Sequence, residues 1–142
     1  MRVAGFGYRS GAEPSSLRAA WEAALAALRA EGLAEGGDGW TGDPARHGRA
    51  GCVLLAAPQD KLAMLQALAA QLGLPVRAVS AMALRAAPTV THSPASLAAR
   101  GTGSVAEASA LAAAGPGARL LVTRRISADR RASCAIAEGT DS

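Results

Sequence analysis

The sequence predicts an α/β domain of three layers, α/β/α, on a mostly parallel mixed sheet of about five strands that closes with a C-terminal antiparallel hairpin. Three observations carry this. Apolar runs of strand length alternate with segments of helical periodicity through most of the chain. One run, Gly51–Ala57 (G-C-V-L-L-A-A), is small or apolar at every position, as a strand buried on both faces of a parallel sheet requires. The last two runs, Arg119–Thr123 and Ala132–Ala137, are joined by a link too short for a crossover, which leaves antiparallel pairing.

Taken in order, Arg2–Phe6 (R-V-A-G-F) is a first, central strand, followed by a glycine-rich turn over Gly5–Gly11. A helix is expected over Pro14–Ala30. Pro14 suits its first turn, Leu17, Trp21, Ala24, Leu25 and Leu28 form its buried stripe, and Gly32 stops it. Residues 33–49, polar and rich in Gly, with Trp40 and His47, read as a long surface loop. After the Gly51–Ala57 strand, Pro58–Leu72 reads as a helix with Leu62, Leu65, Leu68, Ala69 and Leu72 inward and Gly73 as a left-handed cap. Val76–Val79 is a short strand, and Ser80 caps a brief helical turn through Leu84. Ser93-Pro94 opens a short helix that ends at Gly101.

Gly101-Thr102-Gly103-Ser104-Val105-Ala106-Glu107 is a glycine loop that opens the next helix, which Gly115-Pro116-Gly117 terminates. Ser104 is an N-cap, and Glu107 stands where a capping-box carboxylate belongs. Such a loop starts a helix and nothing more in many proteins, but its free N–H groups also suit an anion. Residues 124–131 form a basic connection between the last two strands, and residues 138–142 a frayed tail.

The bulk numbers exclude several function classes. At 142 residues the chain is a single domain, 1–142. Its net charge of +4 rests almost wholly on Arg, since Lys61 is the one Lys. With no dense basic run and 3% aromatics, nucleic-acid binding is not expected. Cys52 and Cys134 lie in strand-like runs and read as buried free thiols. No leader and no membrane-length apolar run are visible, so a soluble cytoplasmic protein with no membrane contact is expected. There is no paired-Cys or His-Glu-x-x-His spacing, so no metal and no cofactor are expected. Gly5-x-Gly7-x-x-x-Gly11 is one residue too long for a dinucleotide fingerprint, and no Gly-Lys-Ser/Thr P-loop occurs.

Ligands of such sheets sit beyond the carboxyl ends of the strands. The expected cleft gathers Gly5, Gly7, Tyr8, Arg9, Ser10 and Gly11 on one wall, and His92, Ser93, Gly101, Gly103, Ser104, Val105 and Glu107 on the other, with Arg124 at its edge. Glu107 and His92 are the candidate proton-transfer groups. No nucleophile elbow surrounds Ser93 or Ser104, both better read as caps. Arg124-Arg125 is either a carboxylate clamp or an ordinary solvated turn.

Read together, V-A-G-F-G-Y-R-S-G at 3–11, P-Q-D-K-L at 58–62, L-G-L-P at 72–75, G-T-G-S-V-A-E-A-S-A-L at 101–111, L-L-V-T-R-R at 120–125 and A-I-A at 135–137 resemble the CobE / CbiG C-terminal domain family of cobalamin biosynthesis. The likeness spans nearly the whole chain, in the manner of the stand-alone CobE type. It implies binding of a carboxylate-rich precorrin-type tetrapyrrole around the ring-contraction stage, with other corrin-pathway enzymes as candidate partners. An alternative is an enzyme of the same pathway with hydrolytic or lactone-opening chemistry, and a weaker one a nucleotide-binding regulator. The resemblance carries over onto Arg9, Ser104, Val105 and Glu107. Arg124 stands where relatives often have Lys. Tyr8 and Ala106 stand where they often have Cys, which speaks against a thiol-dependent step.

Overall fold

In residues 2–8 (R-V-A-G-F-G-Y) the last four alternate Gly with an aromatic, which puts Phe6 and Tyr8 on one face of the sheet and leaves the other face bare at Gly5 and Gly7. In the computed structural model, which describes residues 1–31 and 51–139, residues 2–8 form β1 (Arg2–Tyr8). The other strands are β2 (Cys52–Pro58), β3 (Val76–Val79), β4 (Arg119–Ile126) and β5 (Ala132–Glu138). Their order is β3-β2-β1-β5-β4, so β1 is central. The β1–β2 and β2–β3 pairings are parallel, and β5 is antiparallel to both β1 and β4. Four strands point one way and β5 alone the other, the expected mixed sheet with its closing hairpin.

One face is covered by α1 (Pro14–Ala30) and by α2 (Leu62–Leu72), which follows a 3-10 turn over Gln59–Lys61. The expected α1 stripe is buried throughout, against Phe6, Leu55, Leu65, Leu68 and Ile136. The other face is covered by α3 (Ala81–Ala86) and α5 (Val105–Ala114), with Val3, Leu54, Val79 and Leu84 packed on the alanines of α5. A short α4 (Pro94–Arg100) lies between α3 and α5 in the chain, capped by Ser93 and ended by Gly101 in the left-handed region. Gly73 ends α2 the same way. Among the described residues no helix is long and apolar enough to cross a membrane. Cys52 and Cys134 are free and buried, and burial pushes the Cys52 thiol up to about 12.

Three expectations change. The turn placed over Gly5–Gly11 is mostly strand: β1 stays paired with β5 as far as Tyr8, so only the Arg9–Gly11 part is a turn. The helix placed from Pro58 starts later, because β2 runs through Pro58 and the 3-10 turn intervenes. Glu138 is not frayed; its carboxylate accepts from Arg2 Nε at 3.3 Å and Arg119 Nη2 at 3.4 Å, and Gly139 N–H donates to Met1 O. Gly32, the loop expected over 33–49 and the tail beyond 139 lie outside the described residues.

Gly5 fixes the distance between the sheet and α5. A Cβ there would stand 2.2 Å from Ala106 O and 2.3 Å from Ala110 N, both backbone atoms with no room to yield. Gly5→Ala is therefore expected to cost more than about 3 kcal/mol, beyond the ordinary range of overpacking, read as a lower urea midpoint. Gly7→Ala meets the Val105 and Ser133 side chains at 3.1 and 3.2 Å and is expected to cost less.

Candidate functional site

The parallel strands end at a hollow of about 410 Å³. Gly7, Tyr8 and Arg9 from the end of β1 form one side, and Arg124 and Ile126 of β4 with Ala132 and Ser133 of β5 another. Ser93, Ala95, Ser96, Ala99 and Arg100 from the start and body of α4 face them, with Val105, the first residue of α5. Lys61 from the turn after β2, and Arg130 and Arg131 from the β4–β5 turn, complete the rim. Six of these residues are basic and none is acidic, so the hollow is a site of positive potential.

The six cations are held differently. Arg100 forms a forked pair with Asp60, at 2.9 and 3.0 Å, and this hydrogen bonding holds the Asp60 carboxyl below its usual range. The Lys61 ammonium lies 5.3 Å from the centre of the Tyr8 ring, whose hydroxyl donates to Lys61 O. Arg131 Nη1 donates to Gly11 O at 3.0 Å. The Arg9, Arg124 and Arg130 guanidinium groups make no ion pair or hydrogen bond with the other described residues.

Behind this wall sits Glu107, fully buried. Val90 N–H and Thr91 N–H donate to its Oε1 at 2.8 and 2.9 Å, and the Thr91 hydroxyl and Arg124 N–H to its Oε2 at 2.5 and 2.8 Å. Burial pushes its carboxyl up, but the Thr91, Arg124 and Val90 hydrogen bonds outweigh burial and hold it below its ordinary value. The Arg124 N–H is available because β4 is bulged. From Val122 to Arg125 it spends one residue more than β5 spends from Ile136 to Cys134. A bulge frees a ladder N–H and re-aims a side chain, and here Arg124 lines the hollow.

The β4–β5 turn is stapled as firmly. Arg130 N–H donates to Ser127 O, Arg131 N–H to Asp129 Oδ1, and Ser127 N–H to Ala132 O. Asp129 also accepts the hydroxyls of Ser127 and of Ser16 on α1, and these bonds hold its carboxyl at about 2. Arg130 is left with φ of 62°, where a residue with a Cβ pays roughly 1–2 kcal/mol.

Of the sequence-predicted residues, the hollow brings together Gly7, Tyr8, Arg9, Ser93, Val105 and Arg124. It does not include Gly5, which lies under α5, or Ser10 and Gly11, exposed beyond it. Gly101 is the α4 cap, and Gly103 packs so closely that a Cβ would stand 2.1 Å from Thr91 O. Ser104 caps α5, its Oγ accepting Glu107 N–H at 3.2 Å, but the Glu107 carboxylate turns to the 90–91 connection and β4 instead of closing the box. His92 is exposed and outside the lining. Sequence reasoning missed Lys61, Arg100, Arg130 and Arg131. The signal was present: a hairpin turn following a strand parallel to β1 lies at the carboxyl end of the sheet, and so does the turn after β2. Among the described residues no group of three or more His, Cys, Asp or Glu side chains is placed to hold a metal.

Residues 47–137 match the family model described as cobalamin synthesis G C-terminus. The chain belongs to this family. It is similar over 96% of its length, at 33% identity, to the solved structure of CobE, a protein from the cobalamin (vitamin B12) biosynthetic pathway, 89% of which is covered at a TM-score of 0.71. The cobalamin biosynthesis protein chiG from Agrobacterium tumefaciens is 32% identical over 99% of this chain and 100% of its own, with a TM-score of 0.58. A cobalamin biosynthesis protein G homologue from Sulfolobus solfataricus shares the fold at 18% identity and a TM-score of 0.54; 96% of this chain covers 36% of that one. No curated protein matches the chain.

The Glu107 network generates a test. Glu107→Gln puts an amide donor among four donors and is expected to destabilise the fold by about 2–3 kcal/mol at pH 7. Because the folded carboxyl lies below its ordinary value of 4.5, its contribution is complete above that pH and lost as the pH falls through the folded value. Urea unfolding of both proteins from pH 7 to pH 3 is expected to show a gap that is widest near neutrality and narrows in acid.

Proposed function

We propose that this protein binds a precorrin-type tetrapyrrole, an apolar macrocycle fringed with carboxylates, around the ring-contraction stage of corrin synthesis. The observation that carries the reading is the convergence of six basic side chains, and no acidic one, on the hollow at the carboxyl ends of β1 and β4. Val105, Ile126, Ala95 and Ala99 add apolar surface for the ring, and guanidinium groups match carboxylate arms in a fork. A volume of about 410 Å³ falls low in the range of small-molecule sites. The macrocycle therefore enters by one edge, with its acidic arms inward. Family membership favours the same ligand class, since this chain's relatives are cobalamin biosynthesis proteins.

We assign Glu107 to holding Arg124 and the 90–91 connection rather than to proton transfer, because all its hydrogen bonds are to protein donors and the hollow does not include it. The reading is of a binder that holds or hands over its intermediate to other enzymes of the pathway. Titrating purified protein with precorrins, followed by absorption and mass spectrometry, is expected to give a saturable spectral shift with no change of mass. A changed mass would mark an enzyme, and a flat titration would remove the site. Arg124→Ala is expected to weaken binding by about 1.5–3 kcal/mol, roughly 10- to 150-fold in Kd. Exposed Arg9 is expected to matter less, through greater screening.

A further inference from the structure

Arg130 stands out on backbone grounds alone. Among the described residues it is the one non-glycine with a positive φ, at 62°. Six other described positions take positive φ, Gly11, Gly51, Gly73, Gly101, Gly115 and Gly117, and every one is glycine. A chain with 16 glycines puts Gly where the backbone turns left-handed, yet keeps an arginine at the position bordering the hollow.

The turn itself does not need that side chain. Arg130 contributes its N–H to Ser127 O, while the Ser127, Asp129 and Ser16 side chains do the stapling. Glycine at position 130 would keep every one of these bonds. The Arg130 guanidinium has no ion pair or hydrogen bond with the other described residues, whereas its neighbour Arg131 is committed to Gly11 O. Backbone strain at a residue whose side chain has no structural task, on the rim of a basic hollow, points to a task in binding.

We infer that Arg130 is an anchor for an anionic arm of the ligand, held over the hollow by a strained turn that the Asp129 staple keeps in place, and so sets the preference for polycarboxylates over ligands with a single acid. This rests on the reading of the hollow as a carboxylate site. The turn, fixed to α1 through Ser16, holds the backbone from which this side chain leaves, so the loop itself need not be ordered when an arm docks.

The test uses the whole protein and two probes, a carboxylate-rich porphyrin and citrate, with Arg130→Gly, Arg130→Lys and the wild type. Arg130→Gly is expected to leave Tm unchanged or raised, and to weaken both probes about three-fold, the smaller effect that screening leaves to an exposed guanidinium. Arg130→Lys is expected to recover part of that loss while keeping the strain. A monocarboxylate such as acetate is expected to bind all three proteins equally weakly. Binding of the porphyrin that does not depend on residue 130 overturns the inference and leaves the binding reading intact. Citrate binding that depends on residue 130, with no porphyrin binding, overturns the macrocycle reading and leaves the anchor intact. A fall in Tm for Arg130→Gly with unchanged affinities shows a structural residue and overturns the inference, as does failure of both probes to bind the wild type.

Discussion

A carboxylate buried away from water survives only if its oxygens are satisfied, and the arrangement around Glu107 is built to satisfy them. Its four donors come from two places in the chain: the 90–91 connection, through two N–H groups and the Thr91 hydroxyl, and the body of β4, through Arg124 N–H. None of these is adjacent to α5 in sequence, so the carboxylate fastens a helix start, a connecting segment and a strand together. The bulge in β4 would otherwise leave Arg124 N–H without a ladder partner. Supplying that partner from Glu107 lets the strand keep its irregularity, and the irregularity brings Arg124 to the hollow. Removing the acceptor leaves buried donors unpaired, which costs more than the net worth of the bonds themselves.

That fastening works only because α5 lies close to the sheet. Gly5 lacks the Cβ that would collide with the backbone at Ala106 and Ala110, and α5 presents alanines in return. The large side chains go to the opposite face, where Phe6 and Ile136 of the sheet pack in one cluster with Leu17 and Trp21 of α1. The two faces thus divide the work. The thick one supplies most of the large apolar burial, and the thin one sets positions, with Val105 brought against Gly7 at the end of the central strand.

Much of this was legible in the chain. The α1 boundaries, its stripe, β3, α4 and its caps follow from periodicity, Pro at a first turn and Gly at a last one, all local signals. The closing hairpin followed from the short link between two apolar runs. What failed to show was long-range. Gly5 and Gly7 read as a turn because glycine marks turns locally, while their real cause, α5 and Val105 overhead, is a hundred residues away. Glu107 read as a capping-box residue because Ser104 stands three places before it; that half is present, yet the carboxylate finds better partners on β4 and the connection. Lys61, Arg100, Arg130 and Arg131 are scattered singly or in pairs, and only the sheet order gathers them.

Gathering like charges has its own consequence. Six cations around one hollow repel one another, and Asp60 at Arg100, the Tyr8 ring at Lys61 and Asp129 beside Arg131 offset only part of this. The remaining cations stay crowded on the rim, one of them on a left-handed backbone. On the reading proposed above, an anionic ligand would relieve the repulsion and gain forked hydrogen bonds together, and its binding free energy would add to the stability of the fold by mass action. The left-handed turn at Arg130, the bulge at Arg124 and the crowded charge are three local costs that fall at one place, the rim of the hollow, and on the binding reading proposed above a bound polyanion would offset them together.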